Sequence, residues 1–258
     1  MKKIEKLGVQ LYTVRDFMTN EKDIAETFKK LKDLGYDQGQ TARCTVPYEV
    51  YGELAEKAGI EIVGTHDNFD LMCNDFDQAL KNHQALHTVM MGVGGYFFKP
   101  EQRNLAEVKD FIQRANTVGE NIAKYGGKFT YHNHQHEFAK IENGKTIMEM
   151  LVEELHPENT SFVLDTYWVQ TGGGDVCDWI EKLAGRIDIL HLKDMMIINE
   201  TREQKYTEIG NGNMNWEKIL TAAEKAGVKC YVVEEDFCPG DPFESLKISS
   251  DYIHKNFM

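Results

Sequence analysis

Apolar positions along this chain follow two alternating rhythms. Residues 7–12 alternate with period two, and after a polar turn Ile24, Phe28, Leu31 and Leu34 recur at helical spacing until Gly35 stops the run. The same pairing returns seven times. Strands are expected at 36–41, 60–66, 88–93, at the start of 128–138, and at 160–165, 186–194 and 228–235. Helices are expected at 24–34, 46–58, 76–86, 101–125, 146–155, 176–183, 216–226 and 243–255, several closed by a glycine such as Gly59 or Gly227. Polar loops are expected at 67–75, after residue 165, and from residue 194 to Asn215. Strict alternation implies parallel strands with crossover helices, and eight units without a composition break predict an α/β protein, a single (β/α)8 TIM-barrel domain over 1–258. An open doubly wound sheet is disfavoured, because no Gly-rich dinucleotide fingerprint follows the first strand.

In such a barrel the C-terminal strand ends and the loops behind them form the active face. This places Gln10, His66, His132, His134, Asp165, His191, Lys193 and Glu234 on one side of the molecule. Pleat parity turns Val163 and Asp165 inward against Phe162 and Leu164, and His191 inward against Leu190 and Leu192. The stretch Tyr131-His132-Asn133-His134 is unusual in carrying so many imidazoles at one strand end, with His136 and Glu137 close behind. Imidazole nitrogen and carboxylate oxygen without thiolate suit a divalent ion such as manganese, cobalt, zinc or magnesium, and His132, Asp165, His191 and Glu234 are the expected ligands.

Composition narrows the partners. The 258 residues are 41% hydrophobic, enough for a large core, and 29 basic against 42 acidic residues give a net charge of −13. That charge, with no basic groove in the sequence, argues against nucleic acid. No apolar run approaches membrane-spanning length and the basic N-terminal stretch lacks a signal-peptide core, so a cytoplasmic protein with no membrane partner is expected. The five cysteines lack paired spacing and read as reduced thiols.

Taken together, Gly8 to Arg15, Tyr131 to His134, Leu164 to Val169, Leu190 to Asp194, Val233 to Asp236 and Lys247 to Tyr252 resemble the xylose-isomerase-like barrels. That family includes sugar phosphate isomerases and epimerases, inosose dehydratase, tagatose 3-epimerases and a DNA-repair endonuclease branch. The resemblance implies a divalent metal on His132, Asp165, His191 and Glu234, and carbohydrate chemistry by proton transfer next to a carbonyl of a keto or aldo sugar through a metal-stabilised enediolate. An isomerase or epimerase is therefore expected, with a dehydratase or lyase acting on a keto-sugar, keto-glycoside or inosose as the alternative, and a non-catalytic sugar-binding barrel as a minor one. In this reading Glu137 or His134 is the base and Lys193 polarises or protonates an oxygen. Gln10, Gln40, His66 and Trp168 contact the sugar or cyclitol. Two departures from the family stand out: His132 occupies the place of an epimerase glutamate, as in inosose dehydratase, and Gln40 stands where relatives carry a glutamate. Relatives often pair through helices at the barrel mouth, so a homo-oligomer is compatible with the resemblance.

Overall fold

A computed structural model describes residues 3–258, so the first two residues of the basic N-terminal stretch lie outside it. Eight short strands run parallel around a barrel: β1 (Leu7–Gln10), β2 (Gln38–Thr41), β3 (Glu61–Thr65), β4 (Met90–Val93), β5 (Lys128–His132), β6 (Thr160–Asp165), β7 (Ile187–Leu192) and β10 (Cys230–Val233). Their order is β3-β2-β1-β10-β7-β6-β5-β4, which confirms the expected (β/α)8 barrel. The seam between β3 and β4 is bridged where Asp67 N donates to Gly92 O at 2.8 Å.

Helices α1 (Glu21–Asp33), α2 (Tyr48–Ala58), α4 (Phe76–Ala85), α5 (Leu105–Ala123), α6 (Ile147–Glu154), α8 (Val176–Lys182), α9 (Trp216–Ala226) and α10 (Pro242–Phe257) follow the strands in turn. The glycine stops are real: Gly59 and Gly227 close α2 and α9 in the left-handed conformation, at φ +72° and +76°. The main core lies between the outward faces of the strands and these helices, where Val9, Phe129, Phe162, Leu164, Leu190 and Leu192 are all buried. A second, smaller cluster of Val163, Ile189 and Val232 fills the barrel axis. Residues next to one another on β6 and β7 thus belong to different cores, as the period-two reading requires. The axis is narrow, since a Cβ on Gly8 would come within 2.9 Å of Val232 Cγ2.

The boundaries that differ do so for local reasons. Pro100 starts a separate 3-10 turn, and Asn104 caps α5, so the long helix begins later than expected. Part of the expected 67–75 loop is helix α3 (Phe69–Asn74), capped by Asn68. The chain after β6 is not a loop either: the Asp165 carboxylate accepts from Trp168 N and starts α7 (Thr166–Thr171). Beyond β7 the chain forms an antiparallel hairpin of β8 (Asp194–Ile197) and β9 (Gln204–Thr207). Five backbone or indole N–H groups converge on the buried Asp194 carboxylate and tie the end of this segment down. All five cysteines are free, and among the described residues no helix is long and apolar enough to cross a membrane.

Candidate metal centre at the barrel mouth

The ends of β5, β6, β7 and β10 bring His132, Asp165, His191 and Glu234 together, with one donor atom from each lying within 4.8 Å of all the others. All four are buried. Asp165 stands beside His191 in the sheet register, while His132 stands beside Val163 and His191 beside Val232. The tilt of barrel strands brings these staggered positions level. His132 Nε2 lies 3.4 Å from Asp165 Oδ2 and 3.9 Å from Glu234 Oε2; His191 Nδ1 lies 3.7 and 3.0 Å from the same oxygens.

Groups behind the cluster set the imidazole tautomers. His132 Nδ1 faces Gly94 O at 3.2 Å, an acceptor only, so Nδ1 donates and Nε2 keeps its lone pair for the centre. His191 Nε2 lies 2.5 Å from Gln40 Oε1, which likewise frees Nδ1. Gln10 Nε2 donates to the same Gln40 oxygen at 3.0 Å and lies 3.2 Å from His66 Nδ1. Gln10 therefore fixes the Gln40 amide and leaves the His66 proton on Nε2, a buried atom with no partner among the described residues. Asn133 Oδ1 accepts from Asp165 N at 2.9 Å. The sequence placed Gln10, Gln40 and His66 at the site as sugar contacts; Gln10 and Gln40 stand behind the imidazoles, and His66 faces the cavity.

Charge in the site is unbalanced. Lys193 Nζ is fully buried, 2.8 Å from Asp236 Oδ1, 3.3 Å from Glu234 Oε2 and 3.7 Å from Asp165 Oδ2. Burial disfavours its ammonium, but the three carboxylates more than restore it and raise its pKa. Burial also opposes charge on Asp165, yet Lys193 and the two imidazoles bring its carboxyl down to about 2. Glu234 is held well below the usual range, because Lys193 and His191 outweigh its burial. His191 is raised to about 9, burial being overcome by Glu234 and Asp165. Burial, reinforced by the neighbouring His132, holds His66 and His134 neutral. With both imidazoles neutral, as ligation requires, three carboxylates against one ammonium leave a formal excess of two negative charges, which a divalent cation would balance; without a metal the proton on His191 offsets one of them. The residues therefore fit such an ion in donor type, tautomer and charge.

Two of the four, His132 and Glu234, line a cavity of about 610 Å³ whose wall also includes His66, His134 and Asp236. His134 is the predicted base that reaches this wall; its ring lies 4.7 Å from that of His132. Glu137 does not reach it. The chain leaves the strand after His132, and a 3-10 turn swings Glu137 into the interior, where it accepts from Tyr131 Oη at 2.7 Å and His134 N at 2.8 Å. Its carboxylate holds the turn that presents His134. Trp168 sits with its ring 4.8 Å from Lys193 Nζ and 5.4 Å from the His134 ring, so it packs over the ammonium. Asp236, which binds Lys193 and lines the cavity, reads as surface loop in the sequence, and its acidic neighbours Glu234 and Glu235 were the available signal. Glu235 is buried as well; burial and Glu208 push its carboxyl up to about 7.

A family model described as xylose isomerase-like TIM barrel matches residues 28–255. The chain is 28% identical over 160 residues to an inosose dehydratase of Geobacillus thermodenitrificans, a match covering 56% of this chain and 53% of that one. It is 25% identical over 181 residues to an inosose dehydratase of Mesomycoplasma hyopneumoniae, covering 61% and 55%. The chain spans about half the length of the curated relatives it matches. A crystal structure of a sugar phosphate isomerase/epimerase from Parabacteroides distasonis superposes with a TM-score of 0.82 at 23% identity, covering 100% of this chain and 96% of that one. By its strand order, its strand-end residues and the family match over most of its length, this chain belongs to the xylose isomerase-like TIM barrels.

Proposed function

We propose that this protein is a divalent-metal-dependent enzyme that removes the proton beside a carbonyl of a keto-sugar or cyclitol, and that loss of water from the neighbouring carbon completes the reaction. The observation that carries this reading is the four-donor cluster His132, Asp165, His191 and Glu234, which meets an open cavity through His132 and Glu234. A metal held there would act as a Lewis acid on substrate oxygens. The chain's own residues do the rest. His134, neutral and facing the cavity, accepts the proton from the carbon; His66 Nε2–H donates a hydrogen bond to a substrate oxygen. As the C–H bond breaks, its electron pair forms a double bond to the carbonyl carbon and the carbonyl π pair moves onto oxygen. When the carbonyl re-forms, that pair shifts to break the C–O bond on the next carbon, and the leaving oxygen takes the proton carried by His134 and departs as water. Lys193 keeps Asp236, Glu234 and Asp165 in place at the mouth.

Elimination is favoured over epimerisation by the imidazole at position 132. Epimerisation returns a proton to the opposite face and so calls for a second base, for which an epimerase uses a glutamate at this place. The relatives named inosose dehydratase support the same branch. Isomerisation remains the second reading, supported by the shared proton-removal step. NMR of inosose and a panel of keto-sugars in D2O with metal-supplemented protein separates the two. An unsaturated product supports the dehydratase; solvent deuterium entering without loss of water moves the assignment to isomerase or epimerase. No exchange and no product over the panel would sink both.

A further inference from the structure

Seven large apolar side chains are substantially exposed among the described residues, and Tyr12, Phe98 and Phe237 line the cavity that meets the four-donor cluster. They are 39%, 56% and 67% exposed, so none of them belongs to the hydrophobic core. The loops that carry them are nevertheless anchored. Arg15 Nη1 donates to Tyr12 O at 2.8 Å and to Asp236 O at 2.9 Å, tying the chain after β1 to the chain after β10. Its guanidinium stacks 4.1 Å from the Tyr12 ring and 5.3 Å from the Phe237 ring, holding both on one side of the mouth. Phe98 stands over His134, their ring centroids 5.4 Å apart, and its carbonyl accepts from Arg103 Nη2 at 2.6 Å. Gly95 lets the backbone pass close beneath, since a Cβ there would lie 2.8 Å from Phe98 and 2.9 Å from His134.

We infer that these three rings form an outer subsite for a second ring of the substrate, which makes the substrate a glycoside whose inner ring carries the carbonyl, instead of a free monosaccharide or cyclitol. The inference rests on the proposed function for the inner ring. Anchored, water-exposed aromatic faces favour the flat C–H face of a sugar or an aryl ring, both of which they desolvate without needing charge. The cavity volume agrees: about 610 Å³ lies within the ~300–1,000 Å³ range that encloses drug-sized ligands, whereas a lone hexose has only about a dozen non-hydrogen atoms. The inner ring would sit over the cluster and beside His134, with the glycosidic oxygen directed outward between Phe98 and the Tyr12–Phe237 pair.

The test uses the metal-supplemented full chain and, as analogues that carry a hydroxyl in place of the inner-ring carbonyl and so do not turn over, matched sets of methyl glycoside, phenyl glycoside and disaccharide built on glucose, galactose and mannose, with binding read by titration calorimetry. In at least one set a two-ring member binds about tenfold more tightly than the methyl glycoside. That ratio falls to about twofold in Phe237→Ser and in Phe98→Ala, and it persists in Tyr125→Ser, an exposed ring outside the cavity. A gain for the disaccharide assigns a sugar as the outer ring; a gain confined to the phenyl member assigns an aryl group. Equal affinities within every set, or a gain that survives both Phe substitutions, overturns the subsite while metal uptake and proton exchange still stand for the proposed function. Failure of every member to bind, the methyl glycosides included, overturns the subsite as well.

Discussion

Both ends of the barrel bury carboxylates beside lysine, but to opposite effect. At the N-terminal end Asp188 pairs with Lys229 and lies 3.8 Å from Lys128, while Asp188 N donates to Ser161 Oγ. One carboxylate meets two ammoniums, Lys229 is two-thirds exposed, and the group needs nothing further to balance it. At the C-terminal end Asp165, Glu234 and Asp236 surround a single, fully buried Lys193. Between the two ends, Val163, Ile189 and Val232 fill the axis and exclude water. One end is a finished ion pair; the other carries an acid excess that a bound cation would balance. The difference separates a self-balanced charge cluster from one that fits a bound cation, although both ends use carboxylates and lysine.

The sharpest break in that comparison is Asp165→Asn. It removes a ligand and one negative charge from the acid-rich end. Divalent-metal content after supplementation is expected to drop to background, and turnover at least about a thousandfold, about 4 kcal/mol of transition-state stabilisation. Retention of metal and full turnover would remove the centre from consideration. A gentler change leaves every ligand in place: Gln40→Leu deletes the acceptor that orients His191. Metal affinity is expected to fall by about 10- to 100-fold in competition with a chelator, with the fold unchanged by circular dichroism.

The third prediction uses pH. In the metal-free protein His191 is protonated at neutral pH, since Glu234 and Asp165 raise it to about 9 against the burial that opposes its charge. Its folded pKa lies above the unfolded value near 6.5, so its contribution to metal-free stability is complete below pH 6.5 and is lost as pH rises toward 9. A metal must displace that proton. Affinity is therefore expected to climb by about tenfold per pH unit between 7 and 9 and then level off, with about one proton released per ion at pH 7 in calorimetry across buffers. A pH-independent affinity would contradict the arrangement. The smallest effect belongs to the other end: Asp188→Asn is expected to cost less than about 1 kcal/mol in thermal unfolding, because its main partner is screened by water, and to leave metal affinity untouched.

Much of this site is legible in the residues. His132, Asp165, His191 and Glu234 come from four separate stretches, yet period-two alternation assigns the inward face of each strand and parallel order assigns the same end to all. Alternation fails where the strand ends. Glu137 lies only five residues past His132, and extrapolating the strand puts it near the cavity; the 3-10 turn after Asn133 buries it against Tyr131 instead. Gln10 and Gln40 were placed at the right strand ends, but their relation to His191 and His66 depends on distances between strands β1, β2, β3 and β7. Asp236 and the rim rings Phe98 and Phe237 lie in loops, where no periodicity operates.

The sequence by itself determined the count of strand-helix units, the facing of their side chains and the chemical type of the proposed ligands, because helix and strand periods are local properties of the chain. Tertiary structure decided which groups share a proton or a charge. The tautomers of His132, His191 and His66, the caging of Lys193 by three carboxylates and the removal of Glu137 from the cavity all depend on contacts of a few ångströms between distant segments. Electrostatic interactions change steeply over such distances in a buried site, so the chemistry of the mouth is set by closure of the barrel.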